Sequence, residues 1–412
     1  MKTSDRPEIL TFLGSYVPGY KAGGPVRSIQ NLTDALSDEF RFKIMALDHD
    51  YGDSDPYPGV VTNQWVPVGE AEVMYLSSGL KGFLKQLWVL RNVGPHTVVY
   101  LNSFLTRRFS MLAVLMIWLR LCNPRSLIIA PRGEFSSGSL SLKPRRKRLF
   151  ISLARHLSPY QRCIWHVSSG HEADNLRRIF RDSRVAVAGV VPRSNAQTHH
   201  HTGSVVVASD LGASPATSLA REYPKSEGEL RAIFVSRVSP EKNLASAIRM
   251  LAGLSGKVSF DIVGPLENAA YWRACEKLIS QLPPNVSVHY RGQVEHRDVI
   301  QAIANCHLFL FPSLGESYGH VISEALLAGC PVLISDQTPW RDLEKAGVGW
   351  VLPLSEADEF TRVLQRVIDM GPEEHADMSR RASEYAKERV ADAKVVEANR
   401  FLFRLATGSY RP

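Results

Sequence analysis

Residues 311–340 read FPSLGESYGHVISEALLAGCPVLISDQTPW, and this stretch decides the fold. The apolar run His307-Leu308-Phe309-Leu310-Phe311 is short, β-prone and closed by Pro312, as a buried parallel strand would be. A loop follows from Ser313 to Tyr318. Gly319 then permits close backbone approach, and Val321, Ile322, Ala325, Leu326 and Ala328 recur at helical spacing until Gly329 ends the helix. Pro331 and Val332-Leu333-Ile334 begin a second strand. The order strand, glycine loop, helix, strand is that of a parallel α/β sheet, with the loop at its mouth.

Two carboxylates mark that mouth, Glu316 in the loop and Glu324 in the helix. The unpaired N–H groups of a helix's first turn favour an anion, and carboxylates beside them accept hydrogen bonds from sugar or ribose hydroxyls. Each acid could also be a solvated loop or helix-face residue. Upstream, a strand at 232–235 runs into Ser236-Arg237-Val238-Ser239-Pro240-Glu241-Lys242-Asn243-Leu244 and a helix. Arginine and lysine in one strand-end loop suit a diphosphate, the guanidinium forking across two oxygens and the ammonium adding a point charge. Taken alone, either residue also reads as half of a surface salt bridge. Strands at 260–263, closed by Gly264, and 286–290, closed by Arg291-Gly292, with helices at 271–282 and 299–304, complete a Rossmann-like order.

The run E-S-Y-G-H-V-I-S-E-A-L-L-A-G-C-P-V and the loop S-R-V-S-P-E-K-N-L closely resemble the E-x7-E and R-x4-K motifs of a large family, family four. Its members are retaining, nucleotide-sugar-dependent glycosyltransferases of GT-B fold, sucrose synthases and mannosyltransferases among them. The resemblance implies two Rossmann-like, doubly wound parallel-sheet domains, donor held by the second and acceptor by the first, with a cleft between them. It places Glu316 on the donor sugar, Glu324 on the nucleotide ribose, Arg237 and Lys242 on the diphosphate, and Ser317, Tyr318, Gly319 and His320 along the donor. Gly264, Arg291 and Gly292 mark the strand ends that hold the base. Tyr318 stands where the family usually has phenylalanine, and Ser236 where it has glycine. No metal and no cofactor beyond the UDP- or GDP-linked donor is implied, and the departing phosphate itself takes the acceptor's proton. A nucleotide-sugar 2-epimerase of the same architecture and a non-catalytic nucleotide-sugar or anionic-surface binding protein are the alternatives.

At 412 residues the chain has room for two domains, each with its own core. The expected division is 1–200, 201–385 and a C-terminal helix at 386–412 packing back towards the first domain. The excess of 49 Lys and Arg over 41 Asp and Glu, +8, suits anionic partners. Five scattered cysteines without a CxxC pair indicate neither a disulfide framework nor a zinc site, and fit a reducing cytosol. The beginning MKTSDRPEILTFLGSY lacks the apolar core of a signal peptide. The run FSMLAVLMIWL at 109–119 is about half the length needed to span a bilayer.

In the first half a strand at 9–13 leads through a loop containing Gly23-Gly24 into a helix at 28–36, with further strands at 42–46, 97–101 and 127–130. Gly23-Gly24 reads as a simple turn or, by the resemblance, as the glycine loop over donor phosphates and acceptor. Pro131-Arg132-Gly133-Glu134 follows a strand directly, so Arg132 and Glu134 are acceptor-side candidates or a paired surface turn. Many family members carry a histidine at this point; subgroups that build surface polysaccharides resemble the chain across PRGE and SDQTPW. His166 lies on a later strand, in the core or near the site. Lys143-Pro144-Arg145-Arg146-Lys147-Arg148, followed by Leu149, Phe150, Ile151 and Leu153, describes an interfacial helix on an anionic membrane or a solvated charged face. No nucleic-acid module accompanies it. The stretch 188–230, with His199-His200-His201, reads as linker, without the company a metal site needs. The resulting expectation is a cytoplasmic glycosyltransferase, peripheral on the inner membrane face, acting on a glycan or polyprenyl-linked acceptor in surface polysaccharide biosynthesis.

Overall fold

Two sheets organise the chain. A computed structural model describes residues 6–136, 139–140, 144–180, 204–212 and 223–409. The chain divides into two units, Met1–Leu211 with Ala393–Pro412, and Gly212–Asp392. The first sheet contains β1 (Glu8–Phe12), β2 (Arg41–Leu47), β3 (Trp65–Val68), β4 (Ala71–Leu76), β5 (Thr97–Leu101), β6 (Ser126–Ile129), β7 (Ile164–Val167) and β8 (Val205–Val207). Their spatial order is β3-β4-β2-β1-β5-β6-β7-β8, parallel except for the β3–β4 pair. Apolar on both sides, the inner strands alternate between two cores, as residues on a strand must. Ile9, Ile44, Val98 and Ile128 pack under the helices Gly24–Leu36 and Ala393–Thr407. Leu10, Met45, Val99 and Leu127 share the opposite core with residues of the helices Leu80–Arg91, Leu112–Trp118, Pro144–Ala154 and Gly170–Phe180.

The second unit is a six-stranded parallel sheet of β9 (Glu229–Val235), β10 (Lys257–Val263), β11 (Val286–Gly292), β12 (Leu308–Phe311), β13 (Val332–Ser335) and β14 (Gly349–Leu352). Its order is β11-β10-β9-β12-β13-β14. The chain therefore builds outward from β9 in one direction, then crosses back to lay β12 on its other side. Each unit is thus an α/β sheet, as the resemblance of residues 311–340 implied.

Several expectations change. The first sheet is mixed, because the antiparallel edge strand β3, with β4 and the helix Leu80–Arg91, occupies a stretch that sequence periodicity left unread. Strand β8 lies inside the stretch read as linker and closes the first sheet, so the first boundary falls after Leu211 and not after residue 200. The second falls after Asp392 and not 385, because the helix Pro372–Val390 packs on the second unit's helix His320–Leu327. The run at 109–119 opens as a π-helical turn, Arg107–Met111, and becomes α-helical over Leu112–Trp118. His199 to His201, residues 191–195 and Lys143 lie outside the described residues. All five cysteines are buried, none in a disulfide.

Candidate active site

The loops after β9 and β12 leave the carboxyl ends of neighbouring strands at the point where strand order reverses. In open α/β sheets this is where a crevice opens for a ligand. Arg237 and Lys242 stand in the first loop, Glu316 to Gly319 in the second.

The two loops are fastened to each other. Leu314 N–H donates to the Glu241 carbonyl at 2.9 Å, and Asn243 Nδ2 donates to the Pro312 carbonyl at 2.9 Å. Asn243 sits in the left-handed region at φ 59°, a conformation its short polar side chain tolerates better than most, and its Oδ1 accepts from Ser246 Oγ at 2.8 Å. Across this seam Lys242 Nζ donates to Glu316 Oε1 at 2.7 Å, both side chains 13% exposed. Ser313 Oγ donates to the same carboxylate oxygen at 2.8 Å, and Glu316 N–H donates to the Gln337 carbonyl at 3.0 Å, tying in the loop after β13. Glu316 is thus held by three loops, with Lys242 as its counter-ion.

Gly319, at φ 82°, turns the chain into the helix His320–Leu327; a Cβ there would meet Ile322 Cδ1 at 2.8 Å. That helix begins beside Glu316 and carries Glu324 buried in its second turn. Tyr318 is buried under His320 and Trp340, ring centroids 4.8 and 5.7 Å away, and its carbonyl accepts from Trp340 Nε1 at 2.6 Å. The Tyr318 ring therefore packs as a phenylalanine would. Ser317 lies half-buried in the same loop.

The loops after β9, β10 and β11 run as a ladder. Ser236 N–H donates to the Val263 carbonyl at 3.0 Å, and Gly264 N–H to the Gly292 carbonyl at 2.8 Å. Gly264 has φ 136°, and a Cβ would stand 2.1 Å from the Ser236 carbonyl oxygen, so only glycine fits. Arg237 pairs with Glu267 at 2.9 Å, and Arg291, half exposed, with Asp261 at 3.1 Å. The structure therefore joins Lys242 to Glu316 and gives Arg237 a carboxylate of its own. Two hydroxyls that sequence reasoning missed belong to these segments: Ser239 Oγ and Ser323 Oγ are buried without a hydrogen-bond partner among the described residues. Unsatisfied buried hydroxyls are costly, and a ligand is one way to satisfy them.

In the first unit, Gly23 adopts φ 67° immediately before the helix that starts at Gly24, after β1 and at that sheet's own reversal between β1 and β5. Arg132 and Glu134 are not a surface turn. Arg132, in the left-handed region at φ 52°, donates through Nε to Asn102 Oδ1 at 2.6 Å and through Nη2 to Tyr100 Oη at 2.7 Å, and pairs through Nη1 with Asp210. Tyr100 Oη in turn meets His166 Nδ1 at 2.9 Å, and His166 Nε2 donates to the Ala208 carbonyl at 2.9 Å. Burial, with Arg132 nearby, pushes the His166 imidazole down to about 4, so it is neutral. Glu134 accepts from Ser103 Oγ at 2.7 Å and from the N–H groups of Phe104 and Leu105 at 2.6 and 3.0 Å; burial pushes its carboxyl up to about 7. Both candidates turn inward and fasten the loops after β5 and β6.

The geometry of the second unit has a precedent. Residues 216–389 match the family described as glycosyl transferases group 1. The matched stretch contains both candidate loops. No curated protein matches the chain in sequence. Among solved structures, sucrose-phosphate synthase from Thermosynechococcus elongatus aligns with a TM-score of 0.69 at 15% identity, over 98% of this chain and 100% of that one. HepE from Anabaena, solved with UDP and glucose, aligns at 0.67 and 16% identity, over 98% and 100%. An α,α-trehalose 6-phosphate synthase from Burkholderia multivorans aligns at 0.64 and 12%, over 98% and 98%. These likenesses are of fold. Among the described residues no cluster of His, Cys, Asp and Glu could hold a metal ion, and no helix is long and apolar enough to cross a membrane.

Proposed function

We propose that the protein transfers a sugar, with retention and without a metal ion, from a UDP- or GDP-linked donor to a glycan or polyprenyl-linked acceptor for a surface polysaccharide at the cytoplasmic membrane face. The observation that carries this reading is the Lys242–Glu316 pair at the strand-order reversal, beside the start of the helix His320–Leu327. HepE, similar in fold, was solved with UDP-glucose, which supports a nucleotide-sugar donor. A donor diphosphate at this helix start would meet backbone N–H groups, Arg237 and Lys242. Lys242 has three N–H bonds, so it can hold Glu316 and a phosphate oxygen together. Glu316, fixed by Ser313 and Lys242, would accept from a donor-sugar hydroxyl, and Glu324 from the ribose. As the sugar–phosphate bond breaks, these cations stabilise the charge on the leaving diphosphate, and its oxygen takes the proton of the attacking hydroxyl on the same face.

Thermal shift with UDP-, GDP- and ADP-sugars tests the donor; a ligand at 100 times its Kd should add about 2.7 kcal/mol of stability. A panel without any shift would overturn the reading. The anomeric proton signal of the product tests retention, and turnover should persist in excess EDTA, since the protein's own cations face the diphosphate.

A further inference from the structure

The outer face of the first unit's helical layer carries an unusual surface. In the helix Leu80–Arg91, Gly82, Gln86 and Leu90 face the core, while Leu80, Leu84 and Trp88 are 70, 54 and 59% exposed at i, i+4 and i+8. Lys81, Lys85 and Arg91 flank that stripe, and Lys85 Nζ stands 4.6 Å over the Trp88 ring. The helix Leu112–Trp118 packs beside it and exposes Leu115 and Trp118, 45 and 47%. That helix packs in turn on Ser158–Gln161, whose Tyr160 ring lies 6.5 Å from Phe150 of the helix Pro144–Ala154. There Leu149 and Leu153 are 75 and 58% exposed, beside exposed Arg145, Arg146 and Arg148. All three helices sit over one core and one sheet face.

The charge of this region has one sign. Between Glu72 and Glu172 the sequence contains 15 Lys and Arg and a single acid, Glu134, which turns inward. A second protein's apolar face would meet unshielded cations here, whereas an anionic lipid surface offers both partners at once: phosphates for the basic flanks and acyl chains for the apolar stripe.

We infer that the three helices form one docking surface for an anionic phospholipid bilayer, with Trp88 and Leu84 inserted below the headgroups and the basic side chains at their level. The inference rests on the lipid-linked acceptor proposed above, but its test needs neither donor nor acceptor. The full chain is sedimented with vesicles of phosphatidylcholine, with and without phosphatidylglycerol, at low and high salt. Wild type should sediment with the anionic vesicles only, and less as salt rises. The double variant Leu84→Ser/Trp88→Ser should partition about tenfold more weakly or worse, from the lost apolar burial, and Leu149→Ser/Leu153→Ser should weaken it in the same direction. A far-ultraviolet circular dichroism spectrum and a thermal unfolding midpoint equal to wild type show that the variants are folded. Binding unchanged in the Leu84/Trp88 variant would overturn the three-helix surface and leave the Pro144–Ala154 helix alone. No binding by wild type would overturn membrane docking altogether. Self-association of wild type in gel filtration, lost in the variant, would assign the surface to a second copy instead. Docking without transfer to a lipid-linked glycan would sink the acceptor reading and leave the surface standing.

Discussion

Lys242 is where one side chain joins the packing of the loops to the proposed chemistry. Its ammonium and the Glu316 carboxylate are mostly buried, so removing the cation leaves a carboxylate with Ser313 Oγ and little else. Lys242→Ala should weaken UDP binding by about 1.5–3 kcal/mol in calorimetric titration, the scale of a charge-assisted hydrogen bond. Arg237→Ala should act likewise, while unchanged affinity in both would remove them from the diphosphate. At His166 the sign of a pH effect follows from burial. Its folded value of about 4 lies below the ordinary 6.5, so the unfolded chain binds the proton first and stability is lost as pH falls from 6.5 to 4. The difference corresponds to about 3 kcal/mol, and His166→Phe should flatten that limb of the unfolding profile. Glu134 works the other way: with its folded carboxyl raised to about 7, stability declines as pH rises from 4.5 to 7, and Glu134→Gln should remove that decline. The core position of His166 was among the readings of the sequence, whereas the inward roles of Arg132 and Glu134 were not legible beforehand. Asp210, which holds Arg132, lies 78 residues away in a stretch whose composition says linker. Lys242 and Glu316, 74 apart, were legible as members of one site only through their resemblance to known motifs, and their ion pair was not foreseen.

At the scale of elements, the ladder of loops after β9, β10 and β11 depends on glycine at 264. Gly264→Ala places a methyl against the Ser236 carbonyl in a backbone region closed to L-residues. The cost should be about 3 kcal/mol or more, read as a lower chemical-denaturation midpoint, together with weaker nucleotide binding because Arg237 follows Ser236. Five strands of the second sheet were legible because they are short apolar runs, β10, β11 and β12 closed by Gly or Pro, and 311–340 announces loop and helix in turn, whereas β14 went unread. In the first unit, Pro67 within Trp65–Val68 disguised β3. It can be a strand only because it lies at the sheet edge, where a missing N–H does least harm. Asn243 carried a signal that could have been used, since asparagine tolerates the left-handed region that ends the short turn Pro240–Lys242.

At the scale of the molecule, the helix Ala393–Thr407 belongs to the core of the unit that begins the chain. Phe403 contacts the rings of Phe40, Phe42 and Tyr100, and Arg404 and Arg400 both pair with Glu39. Truncation after Asp392 should therefore raise hydrogen exchange in β1, β2 and β5 and leave β9, β10 and β12 protected. Equal loss in both sets would refute this division of stability.

That helix also sets an order in time. A ribosome releases chains from the first residue, and domains ordinarily fold in that order. Here the earlier unit waits for Phe403, which is made only after the whole of the continuous stretch Gly212–Asp392. The nascent protein should thus acquire its second unit first. Its other half would meanwhile hold an open apolar face for the whole length of the intervening synthesis, a window in which chaperones have something to bind.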